Sequence, residues 1–296
     1  MQGSLAHRNG VLYVGRYAKT AWVAAYDLDG RSLKSSFAFR DEAAGRSTAS
    51  GLAVDADHRV WVADEAAGRV RAFTLFGAEV VSVADPEDCD RGADVLGRLG
   101  APVDVAVAGE DEELVLAVAC KGRRRHALQL FRAHAGAVRS VRPRGDPRGT
   151  FAHLRGLAFD GEVLYACEGG TGRIHVHRAG AHVFDFGLPV NGGRSVEPVA
   201  VDLLPDGRSV VAVAGEVSSV LVFDAAGRPR GVLATSDPGA DPDAVGTVDQ
   251  PGDVVVVPGA DDRHTRVFVV DRDGERVQAF NLEGRCHGAF PRWTGS

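Results

Sequence analysis

The strongest constraint on this chain is that it repeats one pattern along almost its whole length. The clearest copy runs Gly51-Leu-Ala-Val-Asp55, Arg59-Val-Trp-Val-Ala-Asp64, Arg69-Val-Arg-Ala-Phe73, and then turns at Gly77. The same order returns from Gly156 to Asp160, Val163 to Glu168, Arg173 to His177 and Gly180, and from Val199 to Asp202, Ser209 to Ala214, Val220 to Phe223 and Gly227. A further copy spans Asp253 to Val257, Arg266 to Asp271, Arg276 to Phe280 and Gly284. Looser copies end at Gly136 and Gly30, so turn glycines fall at 30, 77, 136, 180, 227 and 284. A period of this length signals units that cannot bury their apolar faces alone and must stack.

Within each unit, short runs rich in Val, Ala, Leu and aromatic residues are separated by Asp-Gly, Ala-Gly or Glu-Gly turns, with no sustained helical period. The chain is therefore expected to be all-β. About four strands in a unit of about 45 residues, written six times, predict a closed six-bladed β-propeller with four-stranded antiparallel blades. Residues 1–296 form one domain in this reading, with blades near 1–40, 48–84, 100–142, 151–187, 196–234 and 250–290. Whether residues 3–8 supply the inner strand of the first blade or pair with the last is open at this point.

The Gly-apolar-Ala-Val-Asp strand, the Val-Ala-Asp strand end and the Arg-Val or Arg-Ile strand start, as in residues 51–73, resemble the NHL-repeat family. The resemblance spans nearly the whole chain; in the unit ending at Gly136 the acidic strand end is missing. It implies a binding or scaffold propeller, and some propellers of that family bind RNA through a basic face.

Composition narrows the classes further. No apolar run approaches the about 20 residues of a membrane-spanning helix, and the Val254-Val255-Val256-Val257 stretch is a short one. The first eight residues carry neither a basic nor an apolar signal region, so a cytoplasmic protein is expected. Cys89, Cys120, Cys167 and Cys286 are scattered without a C-x-x-C pair and read as free thiols. With 34 Lys plus Arg against 40 Asp plus Glu, the net charge of −6 argues against a general polyanion binder.

In a propeller, the d-to-a and b-to-c connections share one face and the a-to-b and c-to-d turns the other. The c-to-d turns are minimal, as at Leu28-Asp29-Gly30-Arg31, which gives that face a structural role. The d-to-a connections are long and polar, so the interaction surface is expected on their face, over the central channel. Ser50, Asp104, Arg155, Glu197 and Asp253 open the inner strands towards the channel mouth and are the ligand candidates. The acids that end the second strand recur five residues before an arginine, as Asp64 with Arg69, Glu168 with Arg173, and Asp271 with Arg276; these read as structural staples across the hairpin.

Enzymes on related six-bladed scaffolds need particular residues at the channel mouth. Lactonases resembling gluconolactonase use a Glu, two Asn and an Asp around a divalent ion, whereas this chain has only Asn9, Asn191 and Asn281. Peptide-amidating lyases use histidine-bound zinc; His126 and His153 share the long-loop face, with Cys120 or Cys167 as further ligands. His175 and His177 alternate around Val176 and read as one strand face, not as a ligand pair. No catalytic residue and no cofactor is identified; the alternative is a divalent cation such as calcium, held by Asp104, Glu197 and Asp253 in a lactonase-like hydrolase or lyase.

Finally, Lys121, Arg123, Arg124 and Arg125 in one b-to-c loop and Arg142, Arg144 and Arg148 in the next d-to-a loop predict a basic patch. The neighbouring loop carries Asp85, Glu87, Asp88, Asp90 and Asp94, and mutual neutralisation ranks first, an acidic protein partner second and RNA third, because no aromatic residues interleave to stack bases. The expectation is a protein-binding propeller that does not engage a membrane.

Overall fold

In the computed structural model, six sheets of four consecutive antiparallel strands form a ring. The structure describes residues 3–17, 20–42, 44–83, 95–123, 125–133, 136–144, 148–189, 196–237, 239, 244–273 and 275–290. Blade one holds β1 (Gly3–Arg8), β2 (Val11–Tyr17), β3 (Ala21–Asp27) and β4 (Ser32–Phe39). Blade two holds β5 (Gly51–Val54), β6 (Val60–Asp64), β7 (Arg69–Phe73) and β8 (Glu79–Val83). Blade three holds β9 (Pro102–Ala108), β10 (Val115–Cys120), β11 (Leu128–Arg132) and β12 (Gly136–Val141). Blade four holds β13 (Leu154–Phe159), β14 (Val163–Glu168), β15 (Arg173–Arg178) and β16 (Ala181–Gly187). Blade five holds β17 (Val196–Leu203), β18 (Ser209–Gly215), β19 (Ser219–Phe223) and β20 (Pro229–Thr235). Blade six holds β21 (Pro251–Val257), β22 (Arg266–Asp271), β23 (Arg276–Asn281) and β24 (Cys286–Phe290). The only helical turns among the described residues are short 3-10 segments at Asp111–Glu113 and Gly169–Thr171.

The turn glycines do what their spacing requires. Gly30, Gly77, Gly180, Gly227 and Gly284 all take positive φ, between 74° and 83°, where a side chain would be strained. The residue three before the glycine completes several of these turns: Asp27 Oδ1 accepts the N–H groups of Asp29 and Arg31, and Asp224 and Asn281 do the same in blades five and six. Gly136 differs, because it opens β12.

The middle strands β6, β10, β14, β18 and β22 are almost wholly buried, since both of their faces meet a neighbouring blade. Trp61 on β6 is completely enclosed, and its Nε1 donates to Asp55 Oδ2 at 2.7 Å, so the indole is buried without an orphaned donor. The six inner strands β1, β5, β9, β13, β17 and β21 contact one another in sequence around the axis. The motif glycines belong to this crowding: a Cβ on Gly156 would lie 2.6 Å from Ala200 Cα and 2.7 Å from Val199 O of the next blade.

Residues 3–8 pair with β2 over six register positions, so blade one is built entirely from the start of the chain. The ring closes without strand exchange between the ends. Instead Leu5, Leu12, Val14 and Tyr26 of blade one pack against Phe268, Val270 and Val277 of blade six, with Phe290 laid against Tyr26 at a ring distance of 5.6 Å. Arg266 adds a hydrogen bond to Leu28 O at 2.6 Å across the same seam.

Candidate functional site

Three aspartates on the inner strands point towards the axis and tie blade to blade. Asp104 Oδ2 accepts the Leu157 N–H at 2.7 Å, Asp202 Oδ2 the Val256 N–H at 2.6 Å, and Asp253 Oδ2 the Leu5 N–H at 2.7 Å. The other oxygen of each accepts the N–H of its own following residue. Burial raises all three carboxyls. Asp202 is pushed up to about 6, against the pull of its two N–H bonds. Asp104 and Asp253 are raised by burial first; for Asp104 the second cause is the charge of Asp253, and Asp202 adds to the rise of Asp253.

These acids separate two openings of the channel. The mouth on the long-loop face is a small polar space of about 70 Å³, bordered by Ser50, Glu65, Lys121, His153, Arg155 and Arg272. Ion pairs narrow it: Arg155 Nη2 donates to Glu197 Oε2 at 3.0 Å, and Lys121 Nζ to Glu65 Oε1 at 3.1 Å. Ser50 Oγ donates to Thr48 Oγ1 at 3.3 Å. Of the five mouth candidates, the structure thus brings Arg155 and Glu197 together, while Asp104 and Asp253 lie deeper and serve the inner strands. His153 is held below its ordinary value by burial and by Arg155 and Lys121, so its imidazole is neutral at pH 7.

The larger cavity, about 590 Å³, opens on the other face. Its wall is formed by Leu5, Leu52, Val105, Leu157, Val201 and Val254, and Asp104, Asp202 and Asp253 stand in it. This is the face for which the minimal turns predict a structural role. Turn length governs hairpin geometry, whereas the channel is emptied by the modest size of the Val, Ala and Leu side chains that line the axis, which turn residues do not report.

The three acid–arginine pairs meet different fates. Arg276 Nε donates to Asp271 Oδ2 at 3.0 Å, inside the blade. In blade two, Asp64 instead accepts from the Thr48 and Ala67 N–H groups and pairs with Arg71 at 3.4 Å, while Arg69 reaches Asp41 in the preceding loop. In blade four, Arg173 pairs with Asp185, and Glu168 holds His175 Nε2 at 3.0 Å. Burial works to raise the Glu168 carboxyl, but hydrogen bonds from His175, Thr171 and the Ala152 N–H overcome it and hold it low. The expected staple is thus replaced in blades two and four, because a cross-strand register position fixes only Cα neighbours and long side chains choose among all acids within reach.

Lys121, Arg123, Arg125, Arg142, Arg144 and Arg148 are all exposed. Arg124, Asn191 and the acidic series Asp85, Glu87, Asp88, Asp90 and Asp94 lie outside the described residues, as does Cys89. Cys120 and Cys167 are buried thiols, and burial pushes Cys167 far up. Among the described residues, the one group of three or more His, Cys, Asp or Glu side chains with ligand atoms mutually within 4.8 Å is His175, His182 and Asp185, away from the channel. Neither Asp104 with Glu197 and Asp253 nor His126 with His153 and a cysteine forms such a group. No helix is long and apolar enough to cross a membrane among the described residues.

Sequence reasoning missed Asp202, Glu65 and Arg272 as parts of the channel, whereas it places His153 on the long-loop face as a zinc-ligand candidate. Asp202 carries the motif aspartate, yet its counterparts Asp55 and Asp160 cap local turns, so the motif gave no sign that this copy faces the axis.

Comparison with known proteins locates the chain by shape alone. No family model matches it, and no curated protein matches it. Among solved structures, virginiamycin B lyase from Staphylococcus aureus superposes with a TM-score of 0.61 over 99% of this chain and 85% of its own, at 11% identity. A nidogen/laminin complex gives 0.62 over 95% and 92%, at 16% identity, and a streptogramin B lyase 0.62 over 99% and 84%, at 12%. At such identities the likeness establishes the six-bladed propeller and does not extend to membership of the NHL-repeat family.

Proposed function

We propose that this chain is a non-catalytic binding propeller of the NHL type whose ligand enters the axial cavity from the short-turn face. The observation that carries the reading is the cavity itself. At about 590 Å³ it falls within the range of small-molecule sites, and its lining sets apolar side chains beside the polar groups of His7, Asp104, Asp160, Arg178, Asp202 and Asp253. Asp104, Asp202 and Asp253 each already accept one N–H from the next blade and one from their own following residue, which suits orientation of a ligand better than chemistry upon it. An apolar molecule with a hydrogen-bond donor at one end, such as an aliphatic amine, matches this lining. The test is a ligand-observed NMR screen of apolar amines and alcohols against the protein and its Leu157→Trp variant. Binding to the parent that the indole blocks supports the reading, and binding unaffected by the indole sinks it.

A second reading concerns the long-loop face. The exposed cations Lys121, Arg123, Arg125, Arg142, Arg144 and Arg148 favour docking of an acidic protein segment there, and the nidogen/laminin complex is a neighbour that engages another protein. Replacing Arg123, Arg142 and Arg144 by Glu and measuring binding of a polyglutamate peptide and of a single-stranded RNA across a salt series distinguishes the partners. Loss of peptide binding alone favours the protein partner. A third reading, lyase chemistry at the mouth, rests on the neutral His153 beside Arg155 and Glu197 and on the two lyase neighbours; turnover of a streptogramin B, lost in His153→Ala, would establish it.

A further inference from the structure

The outer half of blade four buries histidines that nothing in the channel uses. His175 and His177 project from β15 into the packing between blades three and four, and Phe151 lies edge-on to both, at ring distances of 5.3 and 6.3 Å. His182 on β16 stands 5.5 Å from the His177 ring and 6.4 Å from the His175 ring. His177 is completely enclosed, His175 almost so, and yet Nδ1 of His175 and both ring nitrogens of His177 and His182 have no hydrogen-bond partner. Buried imidazole nitrogens left this way are costly unless something fills the space between them.

Strand pairing explains how the group assembles. Asp185 lies directly across from His175, and His182 directly across from His177. Residues 182 and 185 would face opposite sides of a regular strand, but the register shifts between Val176 and His177, and the extra residue Val183 restores both to one side. One ligand atom from each of His175, His182 and Asp185 then comes within 4.8 Å of the others. The surroundings orient these groups. Glu168 holds His175 by Nε2 at 3.0 Å, which leaves the lone pair of Nδ1 open to a metal, and Arg173 takes Asp185 Oδ2, which leaves Oδ1 turned to His182 Nε2 at 3.4 Å. A carboxylate behind a ligating histidine is the usual support of a transition-metal centre.

We propose that His175, His182 and Asp185 bind one divalent transition ion of the zinc class, which clasps β15 to β16 at the edge of blade four. Two imidazoles and one carboxylate select zinc, cobalt or nickel over calcium and magnesium, whose preference is for oxygen donors alone. His177 closes the inner side of the site, and solvent reaches it from the Asp185 side, where that carboxylate is partly exposed.

The experiment uses the full chain, stripped with a chelator and titrated by calorimetry with zinc, cobalt, calcium and magnesium chlorides. One zinc per chain is expected, with visible absorption of the cobalt form in the range of a four-coordinate site and no saturable response to calcium or magnesium. His182→Ala and Asp185→Asn should each weaken zinc binding on the order of tenfold or more, whereas His264→Ala, at the exposed His264–Asp261 pair, should leave it unchanged. Absence of stoichiometric zinc binding, or an affinity in both site variants equal to that of the unaltered protein, overturns the proposal. If those variants do not fold, anomalous scattering at the zinc edge from crystals of the unaltered protein decides: a peak between His175, His182 and Asp185 upholds the site, and zinc found only elsewhere, or nowhere, overturns it.

Discussion

The carboxylate of Asp253 accepts the backbone N–H of Leu5 at 2.7 Å, joining residues 248 positions apart where the first inner strand meets the last. Because the ends exchange no strand, this bond and the apolar seam around Phe268 and Phe290 close the ring. Removing the acceptor strands a buried N–H, at a cost of about 1–3 kcal/mol. Asp253→Ala is therefore expected to lower stability to urea and, more specifically, to speed hydrogen exchange at the Leu5 amide while leaving the Leu157 amide, held by Asp104, protected. Equal acceleration at both amides would mean general loosening and not a local clasp.

Asp202 makes stability depend on pH with a sign opposite to that of a salt-bridged acid. Its folded value of about 6 exceeds the ordinary 3.8, so between these limits the folded state binds more protons than the unfolded chain. Stability from this group is fully present below the lower value and is lost as pH rises through the upper one. Relative to Asp202→Asn, which stays neutral, the parent should lose on the order of 1–3 kcal/mol between about pH 4 and about pH 7. Denaturant midpoints at several pH values measure the difference, and a flat profile would show that Asp202 remains charged in the fold.

Gly156 meets the backbone of blade five, where no side-chain rotation can make room. Gly156→Ala is expected to cost about 1–3 kcal/mol through overpacking, read from thermal unfolding. The same change at Gly231, which has open space around it on β20, should be close to neutral.

Arg71 is buried between Asp64, at 3.4 Å, and Glu79, at 2.5 Å, with its guanidinium 4.9 Å from the centre of the Phe73 ring. Arg71→Met keeps much of the volume but leaves Asp64 as a buried charge without its cation. A loss of about 3–5 kcal/mol is expected from chemical denaturation. Arg263→Met, at an exposed pair with Glu283, should change stability by less than about 1 kcal/mol.

The architecture was legible because a repeat is a local signal. Alternating apolar runs and turn glycines recur at fixed offsets, and each records a condition inside one unit: a pleat or a positive φ. Gly30 could be read correctly from its own neighbourhood, whereas the close approach at Gly156 is to blade five. The acid–arginine pattern was less informative, since Arg69 and Arg173 lie opposite their expected acids and yet bond Asp41 and Asp185. The histidines were hidden for a related reason. His175 and His177 look like a plain strand face until one residue of bulge, at Val183, brings His182 and Asp185 to the same side.

By itself, then, the sequence determined that six like units of four strands must close on one another, because a single small sheet leaves both faces wet. Only the tertiary structure decided that the ring closes through Asp253 and Leu5, that Asp202 joins the axial acids, and that the larger opening lies under the short turns. These outcomes depend on which side chains from different blades arrive at one point, and on how much space they leave there. Such long-range packing is set by the geometry of the closed ring and leaves no mark in any single repeat.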